Sequence, residues 1–185
     1  KIVETVVETV VETVVEEVTV VETVEVEGAG TSARGTCGTV NLLFWQAAST
    51  MNPYLSGGTK DIYAGSVVLE SFARYNEVGQ LVPWLAEEIP TVENGGVAED
   101  LMSITWKLKP GILWADGTPL TAEDAVFSAE YCLDPEMGCN AASAFNDVVG
   151  AEALDDLTVR INFSKPKPFP YSPLVASTSP IIQKA

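Results

Sequence analysis

The pattern that most restricts the fold of this chain lies in residues 103–131, where a strand, two turns and a helix start follow one another. Ile104, Trp106 and Leu108 alternate with polar residues, which predicts a β-strand with one buried face. Pro110-Gly111 ends that strand, because proline has no N–H to donate and glycine accepts a positive φ. The strand is therefore expected to stop at a tight turn.

A capped helix is predicted directly after the second turn, at Asp116-Gly117. Thr121 stands at the N-cap position, and Asp124 three residues later completes a capping box. We therefore assign Asp116 and Asp124 to a turn and a cap rather than to catalysis. The apolar face of this helix consists of Ala122, Ala125, Val126, Ala129 and Leu133.

Further strands and helices are predicted on both sides of this segment. Residues 39–45 form an apolar run typical of a strand, and residues 61–72 have the spacing of a helix. Residues 73–75 and 81–82 flank a hairpin turn, and residues 157–163 indicate another strand. Because strands and helices interleave, we predict an α/β fold.

The N-terminal residues 2–27 are a low-complexity repeat of Val-Val-Glu-Thr. A helix would stack glutamates from Glu4 to Glu16 at i,i+4 on β-branched residues of poor helix propensity, which disfavours it. A strand would alternate valine with glutamate or threonine, a pattern that forms β-structure. We interpret residues 1–37 as a tether and glycine-rich linker. Coil, helix and strand remain open for the repeat, and a low-complexity segment without a role is the alternative.

The charge of the chain bears on its partners. The formal net charge is −16, of which residues 1–30 carry −7. Such an acidic chain repels phosphate backbones and anionic lipid, so we expect neither nucleic-acid binding nor direct adsorption to a membrane. The repeat also carries too many glutamates to span a bilayer.

Enzyme chemistry finds little support in the composition. The sequence contains no histidine, which removes the commonest general base and zinc ligand. The acidic pairs Glu87-Glu88 and Asp155-Asp156 are adjacent, so on a strand their side chains face opposite ways and do not indicate a glycosidase dyad. We expect no catalytic residue, no metal site and no cofactor.

Four stretches stand in the order of a known family. They are GTVNLLFWQAASTMNPYL, VVLESFARYNEVGQLVPWLAEEI, WKLKPGILWADGTPLTAEDAVFSAEY and LDDLTVRINFSKPKPFPYSPLVASTSPII. The third has a strand ending in lysine, an aromatic residue, Asp-Gly and Thr-Ala-Glu-Asp, and the fourth resembles a strand with a proline-broken helix. Over residues 38–185 the chain resembles the family 5 extracellular solute-binding proteins, the peptide- and nickel-binding receptors of ABC importers.

This resemblance implies a fold and a function. Residues 38–185 would form the incomplete first lobe of a periplasmic-binding-protein type II-like domain, a mixed sheet with flanking helices. The implied protein is the extracytoplasmic component of an ABC importer, which captures oligopeptides or a related small solute between two lobes and delivers it to the permease. Family members are much longer, so a fragment is expected, with a lipid anchor upstream of residue 1. The alternative is a cell-surface structural or adhesive module in which the acidic repeat mediates assembly.

A ligand site is expected in the loop after the first strand. Open α/β sheets bind ligands beyond the carboxyl ends of their strands. In the resembled family the backbone of this loop pairs with an extended peptide, which marks Gly57, Gly58 and Thr59. Two glycines permit close approach of a ligand because no Cβ intervenes, although an ordinary flexible turn is the alternative. The family often has a carboxylate where Gly57 stands, and its absence disfavours recognition of a cationic peptide terminus.

Two aromatic residues are further candidates. Tyr54 is weighed both as lining the cleft and as packing on the surface. Phe145 lies in a later connection that reaches the cleft in the resembled family, often through an aromatic side chain. Trp106 and Trp114 occupy strand-pattern positions and are expected in the core.

The cysteines suggest one bridge. Cys132 and Cys139 bracket a short loop after the predicted helix, where a disulfide is sterically reasonable. The extracytoplasmic setting implied by the resemblance favours this bridge over two free thiols. Cys37 is left over as an incidental thiol, because its surroundings lack the apolar run of a signal peptide.

Overall fold

The computed structural model describes residues 41–184 in full and, for residues 2–11 and 17–26, the backbone of two strands. The chain divides into two compact units, residues 1–43 and 44–185, each described by itself. Short 3₁₀ turns lie at Pro53–Leu55, Pro135–Met137 and Ala142–Phe145. The strands and helices are β1 (Ile2–Val11), β2 (Glu17–Val26), α1 (Thr59–Gly65), β3 (Ala73–Tyr75), β4 (Leu81–Pro83), β5 (Ser103–Lys107), α2 (Ala122–Leu133), β6 (Val148–Ala153) and β7 (Thr158–Phe163).

The first unit contains the repeat as a β-hairpin. β1 and β2 pair antiparallel, with Ile2 opposite Val26 and Val11 opposite Glu17. Among the conformations that the sequence left open, the strand is the one found, as the β-branched residues favour. The rest of the interpreted tether and linker, including Cys37, lies outside the described residues.

The core of the second unit is built on a three-stranded sheet in the order β5-β7-β6. The predicted alternation in β5 is confirmed, because Ile104 and Trp106 are fully buried. Val159 and Ile161 on β7 are buried on the same face, and Ile161 lies opposite Ile104 in the register. The indole of Trp106 stacks on Phe72 with ring centroids 5.0 Å apart and planes 2° apart. The sheet therefore has one face in the core.

The predicted capped helix is confirmed as α2, which packs on β6 and β7. The Asp124 carboxylate accepts hydrogen bonds from the backbone N–H of Thr121 at 2.9 Å and from the indole N–H of Trp114 at 3.0 Å. Gly111 and Gly117 have positive φ of 76° and 88°, as both turn predictions required. The buried face of α2 includes Ala122, Ala125, Val126, Ala129 and Cys132.

The predicted hairpin at residues 73–82 is also confirmed. β3 and β4 pair antiparallel, with Tyr75 opposite Leu81. The Asn76 side chain accepts from the N–H groups of Val78 and Gln80 at 3.1 and 2.8 Å, which closes the turn.

The helix predicted over residues 61–72 is wrong in extent, since α1 covers only Thr59–Gly65. A Cβ on Gly65 would lie 2.7 Å from the carbonyl oxygen of Met51, so the end of α1 packs directly on neighbouring backbone. Beyond it Val68 is 60% exposed, whereas Phe72 is fully buried as the chain approaches β3. The apolar residues that suggested one helical face therefore belong partly to α1 and partly to the non-helical segment that follows it.

The strand predicted over residues 39–45 is not formed in its described part, residues 41–45. Leu43 is fully exposed, and Leu42 and Trp45 are exposed by about three quarters. A strand needs a neighbour that satisfies its backbone groups, and no described strand pairs with this run.

The proline-broken helix expected after β7 is not found among residues 164–184. Leu174 and Ala176 instead have positive φ of 58° and 62°. The last described residues are extended and held by α2: the Ser128 hydroxyl accepts from the N–H of Ile182 at 2.8 Å. The Asp124 carboxylate accepts from the N–H of Lys184 at 2.8 Å.

Taken together, residues 44–184 form a partial α/β lobe. The strand pairs described in it, β3 with β4, β5 with β7 and β6 with β7, are antiparallel. The parallel pairing that would make its sheet mixed is therefore not among them.

Candidate functional site

The loop with the predicted ligand residues lies between the 3₁₀ turn Pro53–Leu55 and α1. Gly58 is the N-cap of α1, and Thr59 is its first residue. Gly57 and Thr59 are exposed, whereas Gly58 is half-buried. The three residues therefore differ in their surroundings, and only Gly57 belongs wholly to the loop.

The carboxylate of Asp61 ties this loop to its surroundings. It accepts from the backbone N–H of Ser49 at 2.6 Å and from the hydroxyl of Ser56 at 2.6 Å. The ammonium of Lys60 lies 2.9 Å from both carboxylate oxygens. The Ser56 hydroxyl, followed by the Lys60 ammonium, holds the pKa of Asp61 far below its ordinary value. Asp61 is therefore ionised at neutral pH and fixes both ends of the loop.

The main-chain groups of Gly58 are used within the loop itself. Its N–H donates to the Ser56 hydroxyl at 3.2 Å. Its carbonyl accepts from the N–H groups of Asp61 and Ile62 at 2.9 and 3.0 Å. A Cβ at this position would meet the Asp61 carboxylate and the Ser56 hydroxyl at 3.3 Å each. Glycine is therefore explained here by close packing around Asp61.

Asn140, which follows α2 in the chain, also contacts the loop. Its backbone N–H donates to the carbonyl of Tyr54 at 2.8 Å. Its side-chain amide faces the backbone N–H groups of Ser56 and Gly57, which require an acceptor, so the amide oxygen is oriented towards them at 3.1 and 3.0 Å. A Cβ on Gly57 would lie 3.4 Å from this amide.

A disulfide holds the residue before Asn140. Cys132, in the last turn of α2, is joined to Cys139 with their Cα atoms 5.0 Å apart. The bridge spans the 3₁₀ turn Pro135–Met137. Asn140 is thereby attached to the capped and packed helix α2 rather than to a free loop.

A groove of about 270 Å³ lies beside Gly57. Its walls offer hydroxyl, amide, main-chain and small apolar groups, and no charged side chain belongs to its lining. Such walls suit an uncharged group of a ligand. The lining residues are Pro53, Ser56, Gly57, Ile62, Asn140, Ala141, Ser143, Ala144 and Thr178.

Tyr54 is in the core, neither lining a cleft nor on the surface as the sequence interpretation had it. Its side chain is fully buried, and its ring stacks on that of Tyr131 with centroids 5.8 Å apart. Its hydroxyl donates to the carbonyl oxygen of Pro180, and burial raises its pKa well above the ordinary value. Tyr54 is therefore a core residue next to the loop, not a surface contact for a ligand.

Phe145 is also buried, at 3% exposure, and ends the 3₁₀ turn Ala142–Phe145. Its neighbours Ser143 and Ala144 line the groove, but Phe145 itself does not. The connection predicted to reach the cleft is thus at the groove, whereas its aromatic side chain packs inward.

Sequence reasoning missed three residues that shape this site: Ser56, Asp61 and Asn140. Asp61 lies in the first turn of α1, where an acidic residue is common for helix stability alone. Asn140 follows directly on a cysteine of the predicted bridge, which was the available signal. Its partner loop is distant in sequence, so the contact itself left no local pattern.

Neither a metal cluster nor a membrane-spanning helix occurs in the part of the chain that the structure describes. It contains no group of three histidine, cysteine, aspartate or glutamate side chains suited to a metal ion. Its helices are too short or too polar to cross a membrane.

The sequence profile of the family described as bacterial extracellular solute-binding proteins, family 5 Middle, matches residues 80–185. The periplasmic murein peptide-binding protein MppA of Escherichia coli is 28% identical over 138 residues, which cover 65% of this chain and 24% of that protein. The periplasmic oligopeptide-binding protein OppA of Escherichia coli is 33% identical over 113 residues, covering 49% of this chain and 21% of that protein. The chain spans about a quarter of the length of these curated relatives.

Solved structures give a consistent likeness. OppA of Haemophilus influenzae in complex with the peptide RPPGFSPFR has a TM-score of 0.65 at 22% identity, covering 74% of this chain and 29% of that one. The murein tripeptide-binding protein MppA of Escherichia coli has a TM-score of 0.63 at 24% identity, with coverage of 74% and 29%. NikZ of Campylobacter jejuni in complex with Ni(L-His) has a TM-score of 0.59 at 25% identity, with coverage of 73% and 25%. The fold is that of part of a type II periplasmic binding protein.

Proposed function

Because the chain belongs to the bacterial extracellular solute-binding proteins, family 5, we propose that it is part of the substrate-binding component of an ABC importer. In this proposal the protein captures an oligopeptide or a related small solute in a cleft between two lobes. Closure of the lobes then allows it to deliver the solute to the permease subunits. A binding role of this kind requires no catalytic residue and no cofactor.

The observation that carries the proposal is the exposed Gly57 beside an uncharged groove. Gly57 has no side chain to keep a ligand away from the main chain, and the loop around it is fixed by Asp61 and Asn140. A preorganised backbone edge suits an extended peptide, which is recognised largely through main-chain hydrogen bonds. We keep Gly57 and Thr59 as ligand contacts, with Gly58, Tyr54 and Phe145 in supporting positions.

The names of the relatives favour peptides as the class of solute. MppA and OppA of Escherichia coli are named as murein peptide- and oligopeptide-binding proteins. Other structures of the same fold hold different solutes, such as Ni(L-His) in NikZ of Campylobacter jejuni. The lining of the groove favours an uncharged group, which fits a peptide better than a charged metal complex.

We also propose an extracytoplasmic location with a lipid anchor ahead of residues 1–37, which act as tether and linker. The Cys132–Cys139 disulfide supports such an oxidising compartment. The net charge of −16 supports an anchor rather than electrostatic adsorption as the link to an anionic membrane. Residues 38–185 would be the incomplete first lobe.

A second role, in assembly at the cell surface, is favoured by one observation. β1 and β2 form a two-stranded sheet, and such a sheet has unpaired edges that invite pairing with another chain. Deleting residues 1–27 separates the two roles. Peptide binding without change in the oligomeric state supports the tether, whereas dissociation of an assembly supports the alternative.

The binding proposal is tested on the full-length protein with a mixed pool of tri- to pentapeptides whose side chains are uncharged. We expect bound peptides in native mass spectrometry and a change in the intrinsic fluorescence of the four tryptophans. Gly57→Val should weaken binding, because its side chain would enter the space beside Asn140. Gly150→Val is the matched control, since a Cβ there meets no atom within 4 Å. Absence of bound peptide in the wild type would overturn the proposal.

A further inference from the structure

Asn140 determines which main-chain groups of the loop are left for a ligand. Its amide oxygen accepts from the N–H groups of Ser56 and Gly57 at 3.1 and 3.0 Å. Both donors are therefore satisfied within the protein. The N–H of Gly58 is satisfied in the same way by the Ser56 hydroxyl at 3.2 Å.

The carbonyl groups of Ser56 and Gly57, unlike the N–H groups of these residues, are not hydrogen-bonded to any described residue. Within the described residues, no hydrogen bond reaches the carbonyl oxygens of Ser56 and Gly57. Both residues line the groove, and Gly57 is exposed. A carbonyl oxygen has two lone pairs and accepts from any N–H or O–H donor in reach. The loop therefore leaves the carbonyls of Ser56 and Gly57 free to accept while the N–H groups of the same two residues are occupied. The N–H groups of Thr59 and Lys60, at the start of α1, also have no partner among the described residues.

Asn140 is held in place from two directions. Its own N–H donates to Tyr54 at 2.8 Å, and Tyr54 is fully buried. Cys139 immediately before it is bridged to Cys132 in α2. Since its backbone is held by this hydrogen bond and by the bridged residue before it, its short side chain has little freedom to leave the two N–H groups.

Resting on the proposed function, we propose that Asn140 is a positioning residue: it occupies the N–H groups of Ser56 and Gly57 and so leaves their carbonyls to accept from the backbone N–H donors of peptides with uncharged side chains. The uncharged lining of the groove supports the restriction to uncharged side chains at this point. A ligand without an N–H or O–H donor would leave these two carbonyls unpaired.

Two variants of Asn140 separate its acceptor role from its bulk. Asn140→Asp keeps an oxygen that accepts from both N–H groups, whereas Asn140→Leu has a similar volume and accepts nothing. Asn146→Leu is the matched control, because Asn146 is an exposed asparagine of the same connection whose side chain makes no hydrogen bond among the described residues.

Amide hydrogen exchange of the ligand-free full-length protein tests the positioning directly. In Asn140→Leu the amides of Ser56 and Gly57 should exchange about tenfold faster, the factor expected for one lost hydrogen bond. Asn140→Asp and Asn146→Leu should retain the wild-type rates. The amide of Phe72, bonded to Leu174 at 3.0 Å, should be unchanged in all three and so reports that the fold is intact.

The selectivity is tested with trialanine and with its depsipeptide analogue, in which an ester oxygen replaces one backbone N–H. We expect the wild type and Asn140→Asp to prefer trialanine by about tenfold, the factor for one hydrogen bond, and Asn140→Leu to lose this preference. The inference is overturned if Ser56 and Gly57 exchange equally fast in the wild type and Asn140→Leu. It is also overturned if Asn140→Asp behaves as Asn140→Leu, or if the depsipeptide binds as well as trialanine. If the wild type binds no peptide of the mixed pool, the proposed function is overturned instead. The exchange result does not depend on that outcome, because it is measured without ligand.

Discussion

The backbone N–H of Asn140 donates a hydrogen bond to the carbonyl oxygen of Tyr54 at 2.8 Å, although Tyr54 precedes α1 and Asn140 follows α2. The disulfide of Cys139 with Cys132 fixes the same connection to the end of α2. The loop of Ser56, Gly57 and Gly58 is thus coupled to a helix that the sequence places far from it. The order of the loop depends on this remote connection as well as on Asp61 beside it.

Removal of the disulfide should destabilise the lobe. For the double variant Cys132→Ser and Cys139→Ser, we expect the free energy of unfolding to fall by on the order of 2–3 kcal/mol, because the bridge restricts the unfolded chain. Urea unfolding with and without reductant measures this. Reductant should lower the stability of the wild type and leave the double variant unchanged; equal midpoints for the two oxidised proteins would contradict the prediction.

Gly65 should not tolerate a side chain. In Gly65→Ala the added Cβ would lie 2.7 Å from the carbonyl oxygen of Met51, so the end of α1 must move away from its neighbour. We expect a loss of about 1–3 kcal/mol in the free energy of unfolding, as for other overpacked sites. Gly150→Ala is the control, with an expected change within about 0.5 kcal/mol. Similar unfolding midpoints for both variants would show that α1 adapts without cost.

The indole N–H of Trp106 is buried and has no hydrogen-bond partner among the described residues. Trp106→Phe removes this unpaired donor and keeps an aromatic ring for stacking on Phe72. We expect Trp106→Ala to cost about 3–5 kcal/mol and Trp106→Phe less than about half of that. Urea unfolding monitored by circular dichroism gives both values, and Trp45→Phe at an exposed position is the control. Equal losses for the two Trp106 variants would contradict the prediction.

Asp61 should make the lobe sensitive to acid. Its pKa in the folded protein is lowered by the Ser56 hydroxyl and the Lys60 ammonium, so the unfolded state binds a proton more readily. The resulting stabilisation is complete above the unfolded pKa of about 3.9 and is lost as the pH falls towards the folded pKa. Asp116, whose pKa the Thr118 hydroxyl and Gln183 lower to about 2, acts in the same direction.

We therefore expect the midpoint of urea unfolding to fall steeply between pH 5 and pH 2, from the general behaviour of carboxylates at about these values. In Asp61→Asn the midpoint should be lower at pH 7 and should fall less steeply with acid. Glu77→Gln, at an exposed position, is the control and should follow the wild-type profile. A variant Asp61→Asn with the full acid dependence would show that Asp61 does not contribute to it.

Much of the local structure was determined by the sequence alone. The alternation of Ile104, Trp106 and Leu108 defines β5, and Thr121 with Asp124 defines the start of α2. These patterns are reliable because a strand period or a helix cap depends on residues within a few positions of one another. The family also follows from such local motifs in their order.

Elements that depend on distant partners were predicted poorly. The apolar run at residues 39–45 has the composition of a strand, but its described part pairs with no strand. The spacing over residues 61–72 suggested one helix, whereas α1 ends at Gly65, which packs closely against the backbone of Met51. Composition states what a segment prefers, and neighbours in space decide whether that preference is satisfied.

The glycine pair of the candidate loop was visible in the sequence, and the tertiary structure decided what each glycine does. Gly58 is enclosed by Asp61, and Gly57 faces Asn140, a residue far along the chain. Tyr54, weighed for a cleft or a surface, lies in the core. A sequence determines which backbone groups exist and how freely they turn. Which of them remain available for a ligand depends on side chains that only folding brings within hydrogen-bond distance.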